Sequence, residues 1–174
     1  MKKELQQKLY DKYPLLFQDA SKPMSETCMC WGISTGDGWH RLLDNLCNKI
    51  QHRIESHNRT VDYYKQNPAK DGSGPPEWAK DNISQVIFDQ VKEKFGGLRI
   101  YHHGGDDIVS AYISFAESLS YNICEDCGKF DDTVGRTTKG WIHVICKSCV
   151  GSNPRYEESG WKNYEEEGWF DVEV

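Results

Sequence analysis

Cys124-Glu125-Asp126-Cys127-Gly128, then Cys146-Lys147-Ser148-Cys149 after an interval of eighteen residues, decides the fold of the last third of this 174-residue chain. Two residues between thiols is the separation at which a tight turn aims both sulfurs at one ion. Two such turns supply the four soft ligands of a tetrahedral zinc site. The spacing therefore predicts one Zn2+ held by Cys124, Cys127, Cys146 and Cys149. Four thiolates leave no coordination position for a water, so the ion is expected to be structural. A reduced or redox-active dithiol pair is the alternative. His143 could replace one sulfur, but its apolar neighbours read it as a packed or exposed side chain.

Local chemistry around the pairs supports a finger. Gly128 can adopt the left-handed conformation that lets backbone amides point at thiolate sulfurs. A turn is expected at Val134-Gly135 or at Lys139-Gly140, a strand over residues 141–145, and a short helix at the second pair. A knuckle, a hairpin and a pair at a helix start make the layout of a treble-clef finger. In these features residues 124–149 resemble the C-terminal finger of the DksA/TraR family of polymerase-binding regulators. The acidic-tipped coiled coil of that family is not recognisable in this chain, so the resemblance implies a finger fold and no activity.

Working outward, the rest reads as a body of residues 1–120, the finger as 121–151, and an acidic, aromatic-rich tail as 152–174. Residues 2–13 place Leu5, Leu9 and Tyr13 at helical spacing, stopped by Pro14 and followed by the apolar plug Leu15-Leu16-Phe17. The strongest helix signal starts at Gly36-Asp37-Gly38-Trp39, with Asp37 as its expected cap. Trp39, Leu42, Leu43, Leu46, Ile50 and Ile54 share one face with Cys47, and the helix is expected to end near His57. Residues 65–77, rich in Gly and Pro, read as a surface loop. Ile83, Ile87, Val91 and Phe95 fit a helical stripe ended by Gly96-Gly97, while Val86-Ile87-Phe88 and the alternating Leu98-Arg99-Ile100-Tyr101 fit strands. The favoured reading is a hairpin of residues 84–93 and 97–103 turning at Gly96-Gly97. Asp106-Asp107 starts a further helix with Ile108, Tyr112, Phe115, Ala116 and Leu119 as its expected core face. The fold class is α+β: three main helices, a small antiparallel sheet and the finger.

Composition bounds the function. The net charge is −6, and residues 155–174 alone carry seven acidic and two basic residues. A near-neutral body argues against phosphate-driven nucleic-acid binding. Charges within residues 121–151 cancel, four against four, unlike a DNA-reading finger. No apolar run reaches the roughly 18 residues of a membrane span, and no signal-peptide pattern follows the N-terminus. A cytoplasmic protein is expected, in which paired cysteines read as metal ligands; an odd total of seven cysteines also fits a disulfide framework poorly.

Several further groups carry chemistry. Lys92, Lys94 and Arg99 lie around Phe95 and Tyr101 and would share one hairpin face, either as a binding patch or as a solvated edge. Trp141, Trp161 and Trp169 are the other aromatic binding candidates, the last two in a tail too aromatic for a merely solvating one, which either folds back to dock its aromatics on the body or carries anchors for a basic partner. Cys28 and Cys30, with Cys47 and His40, are poorly spaced for one tetrahedron and read as structural. His102, His103, Asp106 and Asp107 have the residue types for acid–base or metal work, although adjacent histidines on a strand face opposite ways. No phosphate loop, nucleophile elbow or His-Glu-x-x-His helix is present.

Trp31-Gly32-Ile33, the Gly36-Asp37-Gly38-Trp39 block, residues 91–101 (Val-Lys-Glu-Lys-Phe-Gly-Gly-Leu-Arg-Ile-Tyr), the helix around Ala116-Glu117-Ser118 and the terminal cysteine pairs together resemble small uncharacterised proteins encoded by phages and prophages. A cysteine that the resemblance would place near Thr35 is absent. The resemblance implies an accessory protein acting on a host protein, a host defence system or phage nucleic acid. The leading expectation is a binding protein that occludes or sequesters a host protein partner, with zinc as scaffold. The alternatives are a nucleic-acid-binding accessory protein using Lys92, Lys94, Arg99 and Lys147, and an enzyme or sponge for a nucleotide-like molecule around His102, His103 and Asp106.

Overall fold

A computed structural model describes residues 1–70 and 73–164. The fold is α+β: three substantial helices and a short fourth, with two small antiparallel sheets. Helix α1 spans Lys3–Lys12 and α2 spans His40–Gln66. Strands β1 (Ile87–Lys94) and β2 (Gly97–His103) form the first sheet. Helix α3 (Asp107–Ser120) leads to β3 (Val134–Arg136), β4 (Val144–Cys146), α4 (Lys147–Ser152) and β5 (Lys162–Asn163). The second sheet has the order β4-β3-β5. Among the described residues no helix is long and apolar enough to cross a membrane.

Two apolar clusters account for the packing. The larger joins Leu9, Leu16 and Phe17 to Trp39, Leu43 and Ile50 of α2, to Phe88, Val91 and Leu98 of the hairpin, and to Val109, Ile113 and Ala116 of α3. The Phe17 ring meets Phe88 edge-on with centroids 5.2 Å apart. The smaller cluster gathers Cys124, Val134, Val144, Ile145, Cys146 and Tyr156, with Trp161 and Tyr164 against it.

The hairpin holds as a pair but turns one residue earlier than Gly96-Gly97. Lys94 pairs with Gly97, so Phe95 and Gly96 form the turn, with φ of +54° and +81°. Two left-handed central residues define the hairpin turn that matches strand twist. Strand β1 starts at Ile87 rather than residue 84, and Asp89 is an extra residue between Phe88 and Gln90 in the register. Helix α3 covers the free edge of β2 with side chains. Ser120 Oγ accepts from the Leu98 N–H at 2.9 Å, and Glu117 Oε1 from the Ile100 N–H at 2.8 Å. Edge amides satisfied this way cannot recruit another strand.

Helix α2 runs nine residues past His57, to Gln66. Its far half is held by the chain that returns over it. Val61 and His57 are buried, and the Asn58 amide brackets Ile83, donating to its carbonyl at 2.9 Å and accepting from its N–H at 2.7 Å. Asp37 does not cap this helix. It accepts from the backbone N–H of Lys2 at 2.7 Å and pairs with the Lys2 ammonium at 3.1 Å, tying the N-terminus down. Asp106 does cap α3, accepting from the Val109 N–H at 2.9 Å. The buried face of α3 is Val109, Ile113, Ala116 and Ser120, while Ile108, Tyr112 and Phe115 point outward. The helix is apolar on both faces, so periodicity alone could not choose between them.

Candidate metal centre

Each cysteine is placed by backbone that the sequence dictates. Residues 124–128 form a tight knuckle, closed by the Gly128 N–H donating to the Cys124 carbonyl and the Cys124 N–H donating to the Lys129 carbonyl, both at 2.8 Å. Gly128 has φ +77°, a conformation that side-chain-bearing residues rarely adopt. Cys146 ends β4 opposite Val134 and is the cap residue of α4, and Cys149 sits in the first turn of that helix. Val134-Gly135 is therefore strand rather than turn, and the chain reverses at Lys139-Gly140, where Gly140 has φ +70°. The regular strand after it covers only Val144–Cys146 rather than residues 141–145.

These elements bring the four sulfurs of Cys124, Cys127, Cys146 and Cys149 within 4.8 Å of one another. The Cys127 and Cys146 sulfurs are 3.7 Å apart. A tetrahedron with metal–sulfur bonds of about 2.3 Å has edges of about 3.8 Å. The donor set and spacing fit one thiophilic metal ion in a zinc-finger-like arrangement. All seven cysteines are free thiols.

The acidities of these thiols are driven apart. Burial pushes the Cys124 thiol up to about 11. Burial, with the neighbouring Cys127 and Cys146 sulfurs, raises Cys149 further. At Cys146 burial acts the same way but is outweighed by the Ser148 hydroxyl 3.1 Å away and the Cys149 backbone N–H, leaving it at about 7. Four sulfurs this close cannot all carry charge unaided, and a central dication removes that conflict.

The knuckle is pressed against the body. The Gly38 N–H donates to the Glu125 carbonyl at 2.7 Å, and the Gly36 N–H to the Glu125 carboxylate at 2.9 Å. The other Glu125 oxygen lies 2.9 Å from His143 Nδ1, and His143 Nε2 lies 3.1 Å from the Arg155 guanidinium. An arginine can only donate, so Nε2 accepts and Nδ1–H donates to Glu125. His143 is thus packed, in a structural stitch rather than a ligand position. Neither spacing nor periodicity could reveal this trio, because its members are joined only through the folded seam.

The remaining candidates are dispersed. Lys92, Lys94, Arg99 and Tyr101 share the outward hairpin face. Lys92 is opposite Arg99 in the register, and its ammonium lies 5.0 Å from the Tyr101 ring centre. Lys94 lies over Phe95, while Arg99 donates to the Tyr121 hydroxyl at 2.9 Å. Trp141 is exposed beside this hairpin, its indole N–H on the Glu93 carboxylate. Trp161 is turned into the finger, donating to the Ile145 carbonyl at 2.9 Å. Trp169 lies outside the described residues. Lys147, exposed at the start of α4, donates its backbone N–H to Thr133.

His102, His103 and Asp106 are not brought into one site. His103 meets Asp89 at 2.9 Å, Asp106 pairs with Arg53 at 2.9 Å, and His102 Nδ1 is buried without a partner. Cys47 is buried in the main core, which raises its thiol pKa. Among the described residues the four finger cysteines form the one cluster suited to a metal. Comparison with family models, curated proteins and solved structures matches none of them.

Proposed function

We propose that this chain is a zinc-stapled binding module, an accessory protein of the phage type that acts by docking on a host protein and occluding it. Zinc is the metal because four thiolates in a closed tetrahedron suit a soft, redox-inert ion, and the closed shell assigns it to scaffolding. The observation that carries the binding role is the hairpin tip. Phe95 is held at φ +54° and is 72% exposed, and the same hairpin carries exposed Tyr101, with exposed Trp141 bonded to its Glu93. A bulky residue in that conformation is strained, and strain of this kind collects where a surface is used. Exposed aromatics among cations are the side chains that dominate protein interfaces.

Metal analysis of freshly purified protein should find one zinc per chain, removable by a chelator with loss of the finger's ordered amides while the body stays folded. Affinity capture from bacterial lysate should recover a discrete partner that Phe95→Ser and Tyr101→Ser both lose. Capture of the same partner by both variants would sink the hairpin reading.

Lys92 and Lys94 riding over aromatic rings support a second reading, a nucleic-acid surface formed with Arg99. A gel-shift titration separates the two: affinity falling steeply with salt favours nucleic acid, and none above background favours a protein partner.

A further inference from the structure

Helix α3 presents more apolar surface than the core uses. Ile108, Tyr112 and Phe115 stand 42, 36 and 68% exposed on the face adjoining the buried one. Leu42 and Leu46 of α2 form a second wall. Between the helices lies a groove of about 180 Å³, lined chiefly by Leu42, Leu46, Lys49, Tyr112, Phe115 and Leu119 and nearly free of polar surface. The groove is continuous with the exposed apolar face of α3, so apolar surface runs unbroken across both helices, the kind of surface an amphipathic helix buries.

The two rims differ in charge. On the α2 side Asn45 and Lys49 line the groove, and Arg41 and His52 are exposed about a turn away at its two ends. The α3 side carries the small neutral groups Ala111, Ser114 and Ser118, with one carboxylate, Asp107, exposed a turn before them at the start of the helix. A groove between two helices with one cationic rim is complementary to an amphipathic helix that has acids along one side of its apolar stripe.

We propose that the α2–α3 groove docks an amphipathic helix of a protein partner, its bulky apolar side chains seated against Leu42, Leu46, Tyr112 and Phe115 and its carboxylates facing Arg41 and Lys49. The proposal rests on the reading of the chain as a binding module, but it uses a face separate from the hairpin tip.

The test uses the full chain and two fluorescein-labelled synthetic helices, roughly four turns long, with one leucine–phenylalanine stripe. One is flanked by glutamates and the other by lysines. The glutamate peptide should bind by anisotropy at least about ten-fold more tightly than the lysine peptide, with the difference shrinking as salt rises. Phe115→Ser and Tyr112→Ser should each weaken it about ten-fold, and Lys49→Glu should reverse the preference. Both aromatic side chains are exposed enough for the variants to fold, which zinc content and far-UV circular dichroism verify. Tyr101→Ser should leave peptide binding unchanged, so failures at the groove and at the hairpin are read separately. Equal binding of both peptides, or no binding of either, overturns the proposal. It is also overturned by a concentration-dependent dimer abolished by Phe115→Ser, or by binding that requires removal of residues 165–174. Those results assign the groove to a second copy or to the chain's own acidic tail.

Discussion

The indole nitrogen of Trp39 donates to the carbonyl oxygen of Ile123 at 2.8 Å, a bond that joins the turn before α2 to the residue ahead of the first finger cysteine. Trp39 is wholly buried, so its ring packs the main core while its polar edge anchors the knuckle. Trp39→Phe keeps much of the apolar volume but leaves the Ile123 carbonyl without this donor. An unpaired buried acceptor costs about 1–3 kcal/mol. Thermal unfolding of the zinc-loaded variant should shift down accordingly, and an unchanged midpoint would show that water replaces the bond at no loss.

Gly38 explains why body and finger can approach so closely. A Cβ there would stand 2.2 Å from the Cys124 carbonyl oxygen and 2.3 Å from the Gly128 nitrogen, both backbone atoms of the knuckle. Neither can swing aside as a side chain would. Gly38→Ala should therefore prise the seam apart, lowering the denaturant midpoint and weakening zinc retention against a competing chelator. Gly151→Ala is the control, since a Cβ at that helical glycine meets nothing within 4 Å. It should be neutral or stabilising by about 0.5–1 kcal/mol. Equal behaviour of the two variants would contradict the close-approach argument.

Acid stability follows from two tethered carboxylates. Burial opposes the charge of Asp106, but the Val109 N–H and the Arg53 guanidinium outweigh it and hold the carboxyl below its usual range. Asp44 is held low in the same way, burial being outweighed by bonds from Lys12 and the Tyr13 hydroxyl. A carboxyl with a depressed folded pKa contributes stability that is full above its unfolded value, about 3.9, and is lost as pH falls through the folded one. Stability should be flat in this respect above pH ~5 and decline below ~4. Asp106→Asn, which can still cap the helix, should shallow that decline. Circular-dichroism melts across the acid range give the slope, and a slope equal to wild type would remove Asp106 from the account.

The finger was legible because its information is local. Two thiols separated by two residues, a glycine after the first pair and a helix start at the second need only neighbouring residues to be read. The hairpin was half legible: Leu98-Arg99-Ile100-Tyr101 alternates as a strand does, but Ile83, Ile87, Val91 and Phe95 also fit a helical stripe, and the Gly96-Gly97 pair hid the fact that Phe95 takes a conformation glycine would favour. Periodicity failed at α3, where Ile108, Tyr112 and Phe115 are as apolar as Val109 and Ile113, and only contact with α2 and β2 decides which face is covered. The distal half of α2 was missed because the apolar stripe is interrupted at His57 and resumes only at Val61, and the remaining support comes from Asn58 clasping Ile83, a polar contact that a search for apolar stripes passes over. The Glu125–His143–Arg155 stitch leaves no sequence signature at all.

Phe95 gives the sharpest separation between stability and use. Its φ of +54° is a left-handed conformation, worth roughly 1–2 kcal/mol of strain for a residue with a Cβ. The ring recovers little in return. It is 72% exposed, with the Lys94 ammonium 5.4 Å from its centre, a contact worth about 0.5–1 kcal/mol at an exposed site. Asparagine tolerates that conformation, and asparagine followed by glycine is the favoured pair for such a turn. Phe95→Asn should therefore stabilise the protein by about 0.5–1 kcal/mol in urea unfolding, against the usual direction of a substitution. If the ring is displayed for a partner, the same variant should lose capture of that partner even as its midpoint rises. A variant that is both more stable and fully competent in capture would leave the strained phenylalanine without a role at this surface.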